Sequence, residues 1–204
     1  MAVITGISEN RGLITIYADG SALIRIRKKH FAKLPLSQGD DIEPEAYLDA
    51  ISSIQFPDAY EAALTLLDFS MRTAGELRKG LVRRGYAGPA AEAAVAKLVE
   101  VGLINDRDYA ARITETASRK AVGVYSLRRK LMAKGISEAD AEVALEALDD
   151  AQQLSAAKTA AEKLGRKYRD LEPREARRKL SQALARRGFS WDIISSALDG
   201  MDEE

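Results

Sequence analysis

Thr73-Ala-Gly-Glu-Leu77-Arg-Lys-Gly-Leu81-Val-Arg-Arg84-Gly85-Tyr86 is the stretch from which the fold can be read, because its skeleton returns twice. The second copy is Leu127, Leu131, Lys134, Gly135 and Ile136, and the third is Leu180, Leu184, Arg187, Gly188 and Phe189. Two leucines four apart lie on one helical face. A base, a glycine and a large apolar residue then follow, and a glycine just past the last turn takes the left-handed conformation at little steric cost. In such a stop the apolar residue after the glycine folds back on the residue five before it, which pairs Tyr86 with Leu81, Ile136 with Leu131 and Phe189 with Leu184. The base suits the negative end of the helix dipole.

The glycines stand 50 and 53 residues apart. The match extends beyond them, with Val95, Leu145 and Leu198 ten residues on and Leu98, Leu148 and Met201 thirteen on. A fixed period of this kind marks a repeat architecture whose units bury their apolar faces mainly on their neighbours. The predicted fold is mostly α, with tandem three-helix repeats in an elongated curved array. A small N-terminal β-hairpin module precedes them.

Working outward, Gly12 to Tyr17 and Ala22 to Arg27 are β-branched runs about Asp19-Gly20, a hairpin signal, with an earlier strand at Ala2 to Ile7 available to pair. Pro44 opens a short helix to about Ile54. Arg25, Arg27, Lys28 and Lys29 read as a solvated edge that discourages strand addition, with contact to an acidic partner as the alternative, and His30 reads as an ordinary surface residue. The expected division is residues 1–56 for the hairpin module, then repeats at 57–110, 111–150 and 151–204. Thr73 with Glu76 forms a capping box, and Ser137 with Asp140 occupies the same pattern.

Composition narrows the function. Thirty-one basic residues balance 31 acidic ones, so any electrostatic role must come from segregation of charge. With no Cys and one His, disulfides, thiolate zinc sites, cysteine nucleophiles and His-rich metal sites are excluded. No phosphate loop, nucleophile elbow or metal-ligand spacing is present, and no cofactor, metal or catalytic residue is assigned. No run approaches the ~18 apolar residues of a membrane span, and the expectation is a soluble, cytoplasmic monomer.

The charges are segregated by helix. The second helices carry Arg78, Lys79, Arg83 and Arg84; then Arg128, Arg129, Lys130 and Lys134; then Arg174, Arg177, Arg178, Lys179, Arg186 and Arg187. The third helices carry Glu92 and Glu100; then Asp140, Glu142, Glu146, Asp149 and Asp150; then Asp192, Asp199 and Asp202 to Glu204. Equivalent helices in stacked repeats would align these into a basic row and an acidic row. The plainer alternative is solvated faces joined by internal ion pairs, which are weak when exposed. Tyr109, Tyr125, Tyr168 and Trp191 fit core or interface positions better than base-stacking platforms.

Arg72-Thr73 with Glu76-Leu77, Gly85, Leu98, Gly102-Leu103, Asp106, Tyr109-Ala110, Gly123, Leu127, Leu131 and Lys134-Gly135-Ile136 together resemble the RecX family of regulators of the RecA recombinase. The likeness is strongest over about Tyr60 to Leu148. The third repeat fits the family's weaker terminal repeat, and the hairpin resembles an N-terminal extension found in some members. Thr73 stands where Ser is more usual, and Ala87 to Ala91 leaves a helix start without a side-chain cap.

The resemblance implies a regulator without catalysis of its own, acting in homologous recombination, DNA repair and the SOS response. It would bind RecA and its nucleoprotein filament on single- or double-stranded DNA, and restrain ATP hydrolysis and strand exchange. The basic row, centred on Arg83, Arg84, Arg128, Arg129, Lys130 and Lys134, is the expected contact with RecA or with DNA phosphates. The alternatives are a nonspecific nucleic-acid-binding repeat protein and a scaffold for another protein.

Overall fold

A computed structural model describes residues 1–118 and 120–199. It contains a four-stranded antiparallel sheet followed by helices, and divides into two compact units, Met1–Asn105 and Asp106–Glu204. The sequence expectations at Met201 and at Asp202 to Glu204 lie outside the described residues. No helix among the described residues is long and apolar enough to cross a membrane.

In the first unit, β1 (Ala2–Asn10), β2 (Leu13–Ala18), β3 (Ser21–Arg27) and the short β4 (Asp41–Ile42) lie in the order β3-β2-β1-β4. Both hairpins turn through two residues of positive φ, Arg11-Gly12 and Asp19-Gly20, which matches the right-handed twist of the strands. Ile4, Ile14, Ile16 and Ile26 are buried beneath Tyr47 and Ile51. Those last two belong to α2 (Pro44–Phe69), and α1 (Lys28–Phe31) leads toward it from the end of β3.

The short helix expected to stop near Ile54 is instead the first half of α2, which runs 26 residues straight through Pro57. The expected boundary between residues 56 and 57 therefore falls inside a helix. Pro57 lacks the N–H that would bond the Ser53 carbonyl, but both residues are exposed, so water can take that acceptor. Burial on either side holds the helix together: Tyr47 and Ile51 pack toward the sheet, and Ala59, Ala63 and Leu66 toward the first repeat.

That repeat is completed by α3 (Ala74–Arg83) and α4 (Gly88–Glu100), whose shared core includes Leu77, Leu81, Tyr86, Ala94 and Leu98. In the second unit α5 (Asp106–Ser118), α6 (Val124–Ala133) and α7 (Glu138–Glu146) surround Leu127, Leu131, Ile136 and Leu145. The expected boundary between residues 110 and 111 lies within α5. The helices α8 (Asp150–Gly165), α9 (Pro173–Arg186) and α10 (Trp191–Asp199) surround Leu180, Leu184, Phe189 and Leu198. The result is a mostly helical protein of three-helix repeats with a small N-terminal sheet.

The three stops form as their sequence requires. Gly85, Gly135 and Gly188 have φ of 85°, 80° and 88°. The following amides of Tyr86, Ile136 and Phe189 donate to the carbonyls of Leu81, Leu131 and Leu184 at 3.2, 3.2 and 3.3 Å. Each of the three apolar residues is at most 3% exposed. The α4 helix ends the same way: Gly102 has φ 75° and the Leu103 amide donates to Leu98 at 2.9 Å.

Candidate functional site

Each second helix turns its leucines inward, which leaves its basic residues on the remaining faces. The structure sorts them into two classes. One arginine per repeat is neutralised by the third helix of the same repeat: Arg78 by Glu92 at 3.2 Å, Arg128 by Glu142, and Arg177 by Asp199. Lys179 pairs with Glu175 one turn away at 3.0 Å. Lys134 is half-buried with its ammonium 5.8 Å from the Tyr109 ring centre. The expected basic and acidic rows thus neutralise each other in part within single repeats.

The second class is exposed and holds no ion pair among the described residues: Lys79, Arg83 and Arg84; Arg129 and Lys130; Arg174, Arg178, Arg186 and Arg187. Arg83 turns its Nε back to the Lys79 carbonyl at 3.3 Å.

Within the second unit two of the basic helices adjoin. The Gly123 amide donates to the Arg187 carbonyl and the Tyr125 amide to the Gly188 carbonyl, both at 3.0 Å. The end of α9 therefore caps the start of α6, satisfying donors that a helix N-terminus leaves open. The Gln153 Oε1 accepts from the next amide, Val124, at 3.1 Å. This contact needs two glycines. A Cβ on Gly123 would lie 2.2 Å from the Gly188 backbone, and one on Gly188 would lie 2.2 Å from the Ser126 amide nitrogen. The backbone approach brings Arg186 and Arg187 at one helix end next to the helix that carries Arg128, Arg129 and Lys130.

In the first unit the sheet takes the place that α6 takes in the second. The Arg27 amide donates to the Gly85 carbonyl at 3.2 Å, and its Nε donates to the Arg84 carbonyl at 3.2 Å. A Cβ on Gly85 would lie 2.4 Å from the Leu13 side chain. The basic cluster at the end of β3 is thus not a uniform solvated edge. Arg25 is exposed, but Arg27 holds the α3 stop, Lys28 bonds Glu9 at 2.8 Å, and Lys29 pairs with Asp58.

His30, expected at the surface, is fully buried. Its Nε2 meets Asp58 Oδ2 at 2.8 Å and its Nδ1 meets Gln55 Nε2 at 3.0 Å. The Gln55 Oε1 accepts the Ala87 amide at 2.6 Å while Nε2 also donates to the Gly85 carbonyl at 3.1 Å, which fixes the amide orientation. Nδ1 is then an acceptor and Nε2 carries the proton toward Asp58. Burial lowers the His30 pKa, against the opposing pull of Asp58. Asp58 is drawn down to about 2, chiefly by its bond from Lys29 and then by that from His30. Gln55 and Asp58 lie one turn apart in α2, a weak clue to a shared partner.

Of the two places expected for Trp191 and Tyr125, core or interface, the core is excluded, since they are 72% and 56% exposed.

Residues 59–98 match the family described as RecX, first three-helix domain, and residues 150–198 match RecX, third three-helix domain. The regulatory protein RecX of Bacillus licheniformis is 30% identical over all of this chain and 79% of its own length. That of Limosilactobacillus reuteri (strain DSM 20016) is 30% identical over 94% of this chain and 73% of its own. A crystal structure of regulatory protein RecX superposes with a TM-score of 0.67 at 30% identity, covering 98% of this chain and 100% of the other. A RecX from Lactobacillus salivarius gives 0.66 at 30% identity over 74% of this chain and 99% of its own. With helices, stops and relatives in agreement, the chain belongs to the RecX family of regulatory proteins.

Proposed function

We propose that this chain is a non-catalytic regulator that binds RecA on its DNA filament and restrains ATP hydrolysis and strand exchange. The contact is made by the exposed, unpaired bases of the second helices. One observation carries this reading. After each repeat's internal ion pair is set aside, exposed cations remain at recurring places: Lys79 and Arg129 six residues before the stop glycine, Arg83 and Arg186 two before, and Arg84 and Arg187 one before. Each contact is weak alone. Several on one chain act together when the partner repeats its own surface along a filament.

The test is RecA-driven ATP hydrolysis on single-stranded DNA, with the protein added before or after filament assembly. The expected result is a dose-dependent fall in the rate. No change at several-fold excess over RecA contradicts the reading. Binding to bare DNA that falls steeply with salt and is unaffected by RecA would favour nonspecific nucleic-acid binding instead.

A further inference from the structure

In repeats 1 and 2 the second and third helices are bridged at matching places: an arginine seven residues before the stop glycine pairs with a glutamate seven after it, Arg78 with Glu92 and Arg128 with Glu142. Repeat 3 has Ser181 and Ser195 at those two places. Its ion pair, Arg177 with Asp199, lies one turn farther along both helices, and Ser195 also bonds Asp199 at 3.3 Å. Three residues after the glycine the repeats carry Gly88, Glu138 and Trp191.

A groove lies beside these two serines. Between α9 and α10 lies a recess of about 450 Å³, walled by Ile194 and Leu198, with Trp191 at its rim and Arg174 and Arg178 along one side. Asp199, which contacts this region, is already engaged by Arg177, whereas Arg174 and Arg178 are exposed and hold no ion pair among the described residues. An exposed indole beside aliphatic walls and uncompensated guanidiniums has the make-up of a protein-contact hot spot. Single-stranded nucleic acid fits less well. Strand-binding grooves stack successive bases on several aromatics, and this one has a single aromatic with aliphatic walls.

We propose that this groove docks an acidic peptide segment of a protein partner, one whose aliphatic or aromatic residue seats against Trp191 while flanking carboxylates meet Arg174 and Arg178. The inference shares Arg174, Arg177 and Arg178 with the basic set of the proposed function. Its test, however, contains neither RecA nor a filament.

Trp191 is the sole tryptophan, so its emission reports on the groove in the intact protein. The probe is an end-blocked peptide, Asp-Asp-Phe-Asp-Asp-Leu-Asp-Asp. The same peptide with Lys for every Asp, and oligo(dT), serve as the other arms. The acidic peptide should shift the emission to the blue, saturably, and protect the indole from acrylamide. Arg174→Glu with Arg178→Glu should weaken this by about tenfold or more. Ser181→Arg with Ser195→Glu, which restores the bridging pair of the other repeats, should do the same. If that second variant loses helical content, the charge reversal of the two exposed arginines decides alone. The proposal is overturned by no response to the acidic peptide, by an equal response to the lysine peptide, by a response to oligo(dT) only, or by full binding in the charge-reversed variant.

Discussion

His30 shows how much a single side chain can hide. It ties β3 and α1 to α2 through Asp58 and, through Gln55, to the stop of α3. As a neutral ring it accepts from Gln55 and donates to Asp58; protonated, it would set an N–H against the Gln55 amide. Because the folded pKa lies below the unfolded value of 6.5, the unfolded chain binds more protons as pH falls through that value. The His30 contribution is therefore complete above pH 6.5 and is lost as acidification moves toward the folded pKa. Stability should fall as pH drops below about 6.5, and His30→Gln should flatten that slope, as read from urea unfolding at each pH. Asp58 acts in a lower window: its stabilisation is present above the ordinary 3.8 and disappears as pH falls toward 2. Gln55→Ala removes the partners of the buried Ala87 amide and the His30 ring together. A loss of about 2–3 kcal/mol is expected, since orphaned buried polar groups cost more than the bonds themselves contribute. Apart from the spacing of Gln55 and Asp58, none of this was visible in the sequence. Lys28-Lys29-His30 reads as one basic cluster, but in the four-residue helix at the end of β3 Lys28 turns to Glu9 while Lys29 and a buried His30 converge on Asp58, a tertiary effect without local periodicity.

At the scale of elements the sequence was far more legible. The stops depend on residues within one turn of each other, so glycine spacing and the following apolar residue suffice to locate the ends of α3, α6 and α9. The capping box of Thr73 with Glu76 is equally local, with the Glu76 amide 3.1 Å from the Thr73 hydroxyl. Thr73→Ala should cost about 1 kcal/mol. What the sequence did not disclose is which glycines also serve a neighbour. Gly102 has φ 75° with no atom near a built Cβ, so Gly102→Ala should cost only the left-handed conformation, about 1–2 kcal/mol. Gly188 adds a collision with the Ser126 backbone, and Gly188→Ala should exceed that loss by several kcal/mol or displace the α9–α6 contact outright. Thermal unfolding of the two variants side by side measures the difference. Equal losses would mean that the backbone approach is not required. The continuity of α2 through Pro57 was illegible for the same reason, because only burial on both sides, set by the sheet and the first repeat, decides that the helix goes on.

For the whole molecule, repetition divides structural from functional charge. Opposite signs on second and third helices suggested two separate rows. The structure uses Arg78, Arg128 and Arg177 for bridges inside their own repeats and leaves Lys79, Arg83, Arg84, Arg129, Lys130, Arg186 and Arg187 exposed. Sequence alone could not make that division, because the pairing residues are 14 or 22 apart and meet only once the helices pack. The central claim is that the unpaired class carries the regulatory contact. Its most direct measurement is RecA-driven ATP hydrolysis on single-stranded DNA, comparing the intact protein with Arg129→Glu/Lys130→Glu, helical content being checked by circular dichroism. The account predicts inhibition by the former and loss of most of it in the variant with helicity unchanged; full inhibition by the variant would contradict it.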